Sequence, residues 1–179
     1  MTGQIKVLSP ANGPLAAEVM LVGEAPGRLG AGQTGVPFSG DESGRRLDRL
    51  IAAAGWERAK LFITNAVLCN PLDERGRNRA PRQAELTNCH TWLATQIEIV
   101  DPALVVALGA VALHSLARIE PHPLAVRDSA ADPIRWHGRH LAGVYHPGAR
   151  AAVHRPVSAQ LEDFEKLGAW LSAGNGARR

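Results

Sequence analysis

Three groups of residues in this sequence are of types that do acid–base or polar-recognition chemistry, and each belongs to an apolar run. Gly23-Glu24-Ala25-Pro26-Gly27 follows the buried-strand pattern of Val19 to Val22 and turns the chain abruptly with its backbone bare. Asn65 sits in the middle of the apolar run Leu61 to Leu68. Tyr145-His146-Pro147-Gly148 closes the run that begins at Arg139. If these runs are parallel strands, their C-terminal ends share one edge of a sheet, where open α/β sheets bind ligands. A carboxylate, an amide and an imidazole from distant parts of the chain would then face one pocket.

Each of these side chains has a plain reading beside the chemical one. Glu24 can turn its carboxylate into such a pocket, or simply receive backbone or arginine hydrogen bonds. A buried amide such as Asn65 must have its donors and acceptors met, and the polar edge of a planar ligand or a backbone loop would each do so. His146 can stabilise developing negative charge or serve only as a turn residue. Asp41 reads equally as a helix cap and as a catalytic carboxylate. Phe38 is core by type, yet it stands in the Gly-flanked turn Gly35-Val36-Pro37-Phe38-Ser39-Gly40, where its face can stack on a planar ligand. The spacing Gly30-Ala31-Gly32-Gln33-Thr34-Gly35 matches the dinucleotide fingerprint. That fingerprint needs a strand immediately before it and a helix opening inside it, and here Pro26 precedes and Val36-Pro37-Phe38 follows, so nicotinamide and flavin binding are set aside.

The elements that must position these residues alternate. Strands are expected at Glu18 to Glu24, Leu61 to Leu68, Ala103 to Leu108 and Arg139 to Tyr145. Helices are expected at Ser43 to Ala54, with Leu47, Leu50, Ile51 and Ala54 on one stripe, and from Pro81 to Val100, Val111 to Ile119 and Pro156 to Leu171. Asp41 or Ser43 alone, or Ser39 with Glu42, are the candidate caps of the first helix. Loops fill the Gly-rich stretch to Gly40, the charged Asp73 to Ala80 and the proline-rich Glu120 to Pro133. The pattern implies an α/β fold, a three-layer α/β/α sandwich around a mainly parallel four-stranded sheet. One domain over residues 1–179 is expected, with 1–16 and 175–179 peripheral and the Arg-Arg end frayed.

Composition bounds the rest. The chain has 179 residues, 45% of them hydrophobic, and a formal charge of +3. Lys6, Lys60 and Lys166 are its only lysines, so the basic surface is arginine, whose planar fork suits phosphate; a genome-wide bias would give the same composition. Met1 to Pro14 holds no run long enough for a signal peptide, and no segment reaches the roughly 20 apolar residues of a membrane span. A cytoplasmic protein without membrane contact is expected. Cys69 and Cys89 are too few for a disulfide framework and read as buried thiols or metal ligands.

Taken together and in order, the loop after the first strand, the Gly35-to-Gly40 turn, Ile63-Thr64-Asn65, the Leu104-to-Gly109 strand and Tyr145-His146-Pro147 resemble the uracil-DNA glycosylase superfamily, over about Glu18 to Trp170. Gly23 to Gly27 is similar to the first motif of the iron–sulfur family 4 enzymes, and Gln33 to Asp41 to family 5 or the single-strand-selective branch. The resemblance implies a DNA repair hydrolase that flips uracil out of DNA and breaks its N-glycosidic bond. It implies that Phe38 stacks on the base, Asn65 reads its polar edge and His146 supports charge on its oxygen. Gly23, Ala25, Pro26 and Gly27 would contribute the backbone of the pocket, and Glu24 or Asp41 would organise water. Gly148, Arg150, His154 and Arg155 would hold DNA while a small apolar residue of the 148–153 loop enters the minor groove. A monomer, associated with the nucleoid in a bacterium, is the implied state.

Three departures qualify that likeness. Ala25 stands where the best-known branch carries its water-activating Asp, and Arg28-Leu29-Gly30-Ala31 replaces the acidic pair of family 4. Cys69 and Cys89 match only the two downstream ligands of the family's cluster, whereas a [4Fe-4S] cluster takes four, so no cofactor is expected. A glycosylase for hypoxanthine or xanthine, or a catalytically weak binder of damaged DNA, are the alternative readings.

Overall fold

The computed structural model describes residues 6–176. The apolar runs form strands because β-branched and aliphatic side chains, alternating between faces, can be buried on both sides of a covered sheet. They are β1 (Val19–Gly23), β2 (Phe62–Asn65), β3 (Leu104–Leu108) and β5 (Arg139–Val144), all parallel to one another. A further strand, β4 (Ile134–Trp136), runs antiparallel to β5, and the order across the sheet is β2-β1-β3-β5-β4.

The expected four-stranded sheet is therefore corrected to five strands. β4 lacks a sequence signature because it is three residues long and edges the sheet, so only part of it is buried. It is fixed from elsewhere: Trp136 is buried, and its indole N–H donates to the Glu120 carbonyl at 2.7 Å. The link to β5 is a two-residue turn, His137-Gly138, with both residues at positive φ, as tight hairpins require.

Helices cover both faces. The helices are α1 (Ala31–Thr34), α2 (Glu42–Ala53), α3 (Gln83–Val100), α4 (Ala110–Ala117) and α5 (Val157–Trp170). Leu47, Leu50 and Ile51 of α2 and Phe164 and Leu167 of α5 pack on Val19, Leu21, Leu104 and Val106. On the other face, Leu93, Ile97 and Val100 of α3 and Leu113 and Leu116 of α4 meet Met20, Val22, Val105 and Leu141. The period-2 alternation within β1 and β3 thus feeds two cores, and each fully buried aliphatic chain contributes about 1.5–3 kcal/mol.

Two smaller expectations change. The single-turn α1 opens inside the Gly-rich stretch expected as loop, but Glu24 to Gly30 separates it from β1. Residues 1–16 are expected at the periphery, yet Val7 and Asn12 are each 1% exposed. The Val7 N–H donates to the Leu68 carbonyl and the Asn12 amide to the Ile63 carbonyl, both at 2.8 Å, so this segment is docked on β2 and the chain beyond it. The expectations for residues 1–5 and 177–179 lie outside the described residues. Among the described residues, no helix is long and apolar enough to cross a membrane.

Candidate active site

Parallel strands place the loops after β1, β2 and β5 along one edge, and there they enclose a cavity of about 220 Å³. Glu24, Ala25, Pro26, Gly27, Phe38, Asp41, Asn65 and His146 all line it. Gly23 lies just beneath. A Cβ at Gly23 would stand 2.5 Å from Asn65 Oδ1 and 2.7 Å from the Phe38 ring, so only glycine at the end of β1 lets the amide and the ring reach the same floor.

Asn65 is 1% exposed, and its Oδ1 has no hydrogen-bond partner among the described residues. An orphaned buried acceptor costs about 1–3 kcal/mol. Such a cost is tolerated where a ligand's donor is meant to meet it. Above it, Phe38 is held at a φ of +48° and is half-buried against the core, with its ring centroid 5.9 Å from that of His146.

His146 owes its protonation state to the turn that follows. Its Nδ1 accepts the Gly148 N–H at 2.9 Å, which leaves the proton of the neutral ring on Nε2. Burial pushes its pKa down, and the nearby Asp41 carboxylate offsets part of that shift. The result is a neutral ring with one N–H to donate.

The two carboxylates differ. Glu24 is half-buried, burial pushes its pKa up, and its carboxylate makes no hydrogen bond among the described residues. Asp41 is the cap of α2, its Oδ1 accepting the Gly44 N–H at 2.9 Å, while its Oδ2 faces Gly27, where a Cβ would lie 2.8 Å away. Asp41 is thus the α2 cap and at the same time lines the cavity.

Ser43, Asn70, Asn78 and Arg79 also line the cavity, and the sequence reading gave none of them a role there. The Asn70 amide donates to the Pro26 carbonyl and, at 3.1 Å, to Asn78 Oδ1, which also accepts the Arg28 N–H at 3.0 Å. These amides tie the loop after β2 to the loop after β1. Arg79 is held by two hydrogen bonds of 2.7 and 2.6 Å to Glu85, which is lowered to about 2, chiefly by those bonds. The available signal was Asn70-Pro71 at a strand end, an amide in the same kind of place as Asn65.

The residues expected to contact DNA lie on the loop after β5, outside the cavity. Arg150 and His154 are exposed, and Gly148 touches His146. Arg155 is committed to the buried Asp163 through bonds of 2.6 and 2.5 Å, so its guanidinium holds the loop against α5. Val153, on the short 3-10 turn Ala151–Val153, is 82% exposed, the highest value among the exposed large hydrophobic residues described.

Cys69 and Cys89 are free thiols, each half-buried, and burial together with the neighbouring Cys89 pushes the Cys69 pKa up. Two cysteines in the whole chain do not make the four-thiolate set of a [4Fe-4S] cluster, so the donors present do not fit that group. Among the described residues, no group of three or more His, Cys, Asp or Glu could hold a metal ion.

Comparison with known proteins matches residues 10–171 to the family described as the uracil DNA glycosylase superfamily. The chain is 32% identical over 162 residues to the Type-4 uracil-DNA glycosylase of Thermotoga maritima, covering 89% of this chain and 80% of that protein. It is 42% identical to the Type-4 uracil-DNA glycosylase of Sulfurisphaera tokodaii, covering 88% and 72% of the two chains. It is 33% identical to the Type-5 uracil-DNA glycosylase of Thermus thermophilus, covering 76% and 67%.

Proposed function

The chain belongs to the uracil DNA glycosylase superfamily, and we propose that it hydrolyses the N-glycosidic bond of uracil in DNA, leaving an abasic site. The observation that carries this reading is the unpartnered, buried Oδ1 of Asn65 beneath the ring of Phe38. Uracil presents an N–H donor beside a carbonyl acceptor, and a side-chain amide matches both. Cytosine presents the reverse pattern and would set donor against donor.

Breaking the bond sends its electron pair to the base and leaves oxocarbenium character on the sugar. Charge on the departing uracil falls within reach of the Nε2–H of neutral His146, a donor that is already oriented and needs no proton from solvent. Glu24, unpartnered and with a raised pKa, is the better placed carboxylate to draw the proton from the attacking water; Asp41 has one oxygen engaged at the α2 cap. This assignment accommodates Ala25, because the neighbouring residue supplies the carboxylate. The backbone from Gly23 to Gly27 adds the remaining wall. Since the reacting bond is inaccessible in a stack, the base must be flipped, and Val153 is the apolar side chain exposed to fill its place while Arg150 and His154 meet phosphate. Arg155 supports that loop from behind.

All the residues invoked lie in one chain, so a monomer suffices, working in the cytoplasm where the chromosome is. With two cysteines the chemistry runs without an iron–sulfur cluster. The test is incubation with labelled single- and double-stranded oligonucleotides carrying one uracil, hypoxanthine or xanthine, followed by alkaline cleavage. Cleavage at uracil is expected. Cleavage only at a purine, or binding without cleavage, would contradict the reading.

A further inference from the structure

The turn that presents Phe38 does not hold itself. Phe38 lies at a φ of +48°, a region that residues with a Cβ rarely occupy, and its neighbours Gly35 and Gly40 give the segment freedom on both sides. No hydrogen bond within the turn closes on Phe38 itself. Its carbonyl and that of Pro37 are instead bound from outside, by a single guanidinium from the 3-10 turn Arg58–Lys60, which leads into β2.

Arg58 Nη2 donates to the Pro37 carbonyl at 2.5 Å and to the Phe38 carbonyl at 3.2 Å, while its Nη1 pairs with Asp48 of α2 at 2.7 Å. The planar fork is needed for this arrangement: Nη1 is spent on the carboxylate and Nη2 on two adjacent carbonyls. The Phe38 carbonyl also rests against Gly44 of α2, where an added Cβ would collide with it. The carbonyl is thus fixed between α2 and Arg58. Turning the peptide would swing the ring off the floor formed by Gly23 and Asn65.

We propose that Arg58 is a positioning residue for base recognition, acting through the Phe38 ring without touching the base. The proposal rests on the assignment of Phe38 as the stacking residue. It makes the base site depend on a side chain that lies outside the cavity and on the Asp48 carboxylate that aims it.

The test is a double-mutant cycle with Arg58→Met, Phe38→Leu and the pair, read as inhibition by free uracil, as kcat and KM on uracil-containing DNA, and as binding to abasic product DNA. Stacking a base on an aromatic ring is worth enough for Arg58→Met to weaken uracil inhibition about tenfold. The same change in the Phe38→Leu background should cost less than about threefold, and abasic DNA should bind all three variants as it binds the parent. Equal losses in both backgrounds, or a parallel loss of abasic DNA binding, would overturn the proposal and leave Arg58 a purely structural residue. Arg58→Lys keeps a cation opposite Asp48 but cannot serve two carbonyls as well, and it carries the same test if the methionine variant does not fold. A readout independent of activity is the NMR spectrum of the Phe38 ring, shifted in the parent by the nearby His146 ring. Loss of that shift in either Arg58 variant is expected, and its retention would refute the proposal even if the parent released no uracil, an outcome that would separately contradict the proposed function.

Discussion

The rings of Phe38 and His146 face one another at 5.9 Å with their planes tilted by 41°, although they come from the loops after the first and the last strands in the chain. Asn65 and the bare backbone of Gly23 lie against the Phe38 ring, and Asn65 and His146 line the same cavity. Under the proposed function, a base would sit with its face on the phenyl ring, its polar edge on the amide and its remaining oxygen toward the imidazole.

Glu24→Gln should lower kcat by about 10²–10⁴-fold, the usual worth of a general base. In the parent, kcat/KM should fall with decreasing pH through a limb above the ordinary glutamate range, because burial raises the Glu24 pKa and the protonated group cannot take a proton. The variant should lack that limb. The same raised pKa means that ionised Glu24 weakens the fold, with stability lost as pH rises through the interval between its unfolded and folded values. Glu24→Gln should therefore raise the melting temperature at neutral pH while it lowers activity. A pH–rate profile and a thermal melt check both signs.

Arg150 and Arg155, five residues apart and both basic, should behave differently. Arg150→Gln should reduce the slope of log binding constant against log salt by about 1 and leave the melting temperature alone. Arg155→Gln leaves Asp163, whose side chain is 5% exposed, without its partner and should destabilise the protein by about 3 kcal/mol. Salt titrations of DNA binding and denaturant unfolding separate them.

That contrast illustrates what could be read from the chain. Strands and helices were legible because apolar runs and stripes are local patterns, and the edge bearing Glu24, Asn65 and His146 followed from the strands being parallel. β4 was not, since of its three residues only Trp136 is buried, and the strand owes its place to Trp136 reaching Glu120. Arg155 could be recognised as basic and near the site, but its pairing with Asp163 depends on where α5 docks. Asn70, Asn78 and Arg58 were missed for the same reason: each acts on the carbonyl or amide of a distant loop. Asp41 could be named as a cap, which it is, and its side chain also lines the cavity.

Val153→Ala should slow uracil release from duplex DNA about tenfold while changing release from single strands by less than about threefold, because only the duplex needs its stack filled during flipping. Single-turnover rates on the two substrates provide the comparison. Equal losses would remove Val153 from the role of wedge.

Acid should loosen the pocket wall through Glu85. Its pKa falls from the usual 4.5 to about 2 beside Arg79, so its contribution to stability is full above the unfolded value and is lost as pH falls toward about 2. Glu85→Gln should flatten the acid side of the stability curve and, by freeing Arg79 and the loop that carries Asn78, raise KM for uracil-containing DNA. Denaturant melts between pH 2 and 7 would show the flattening.

The central claim is that the Asn65 amide reads the base, and Asn65→Asp tests it most directly. The rates of uracil and cytosine release from otherwise identical single strands should be measured for parent and variant. The account predicts a fall of about 10²-fold or more at uracil, because the donor that meets its carbonyl becomes an acceptor, together with release of cytosine that the parent does not perform. An unchanged preference for uracil in Asn65→Asp would contradict it.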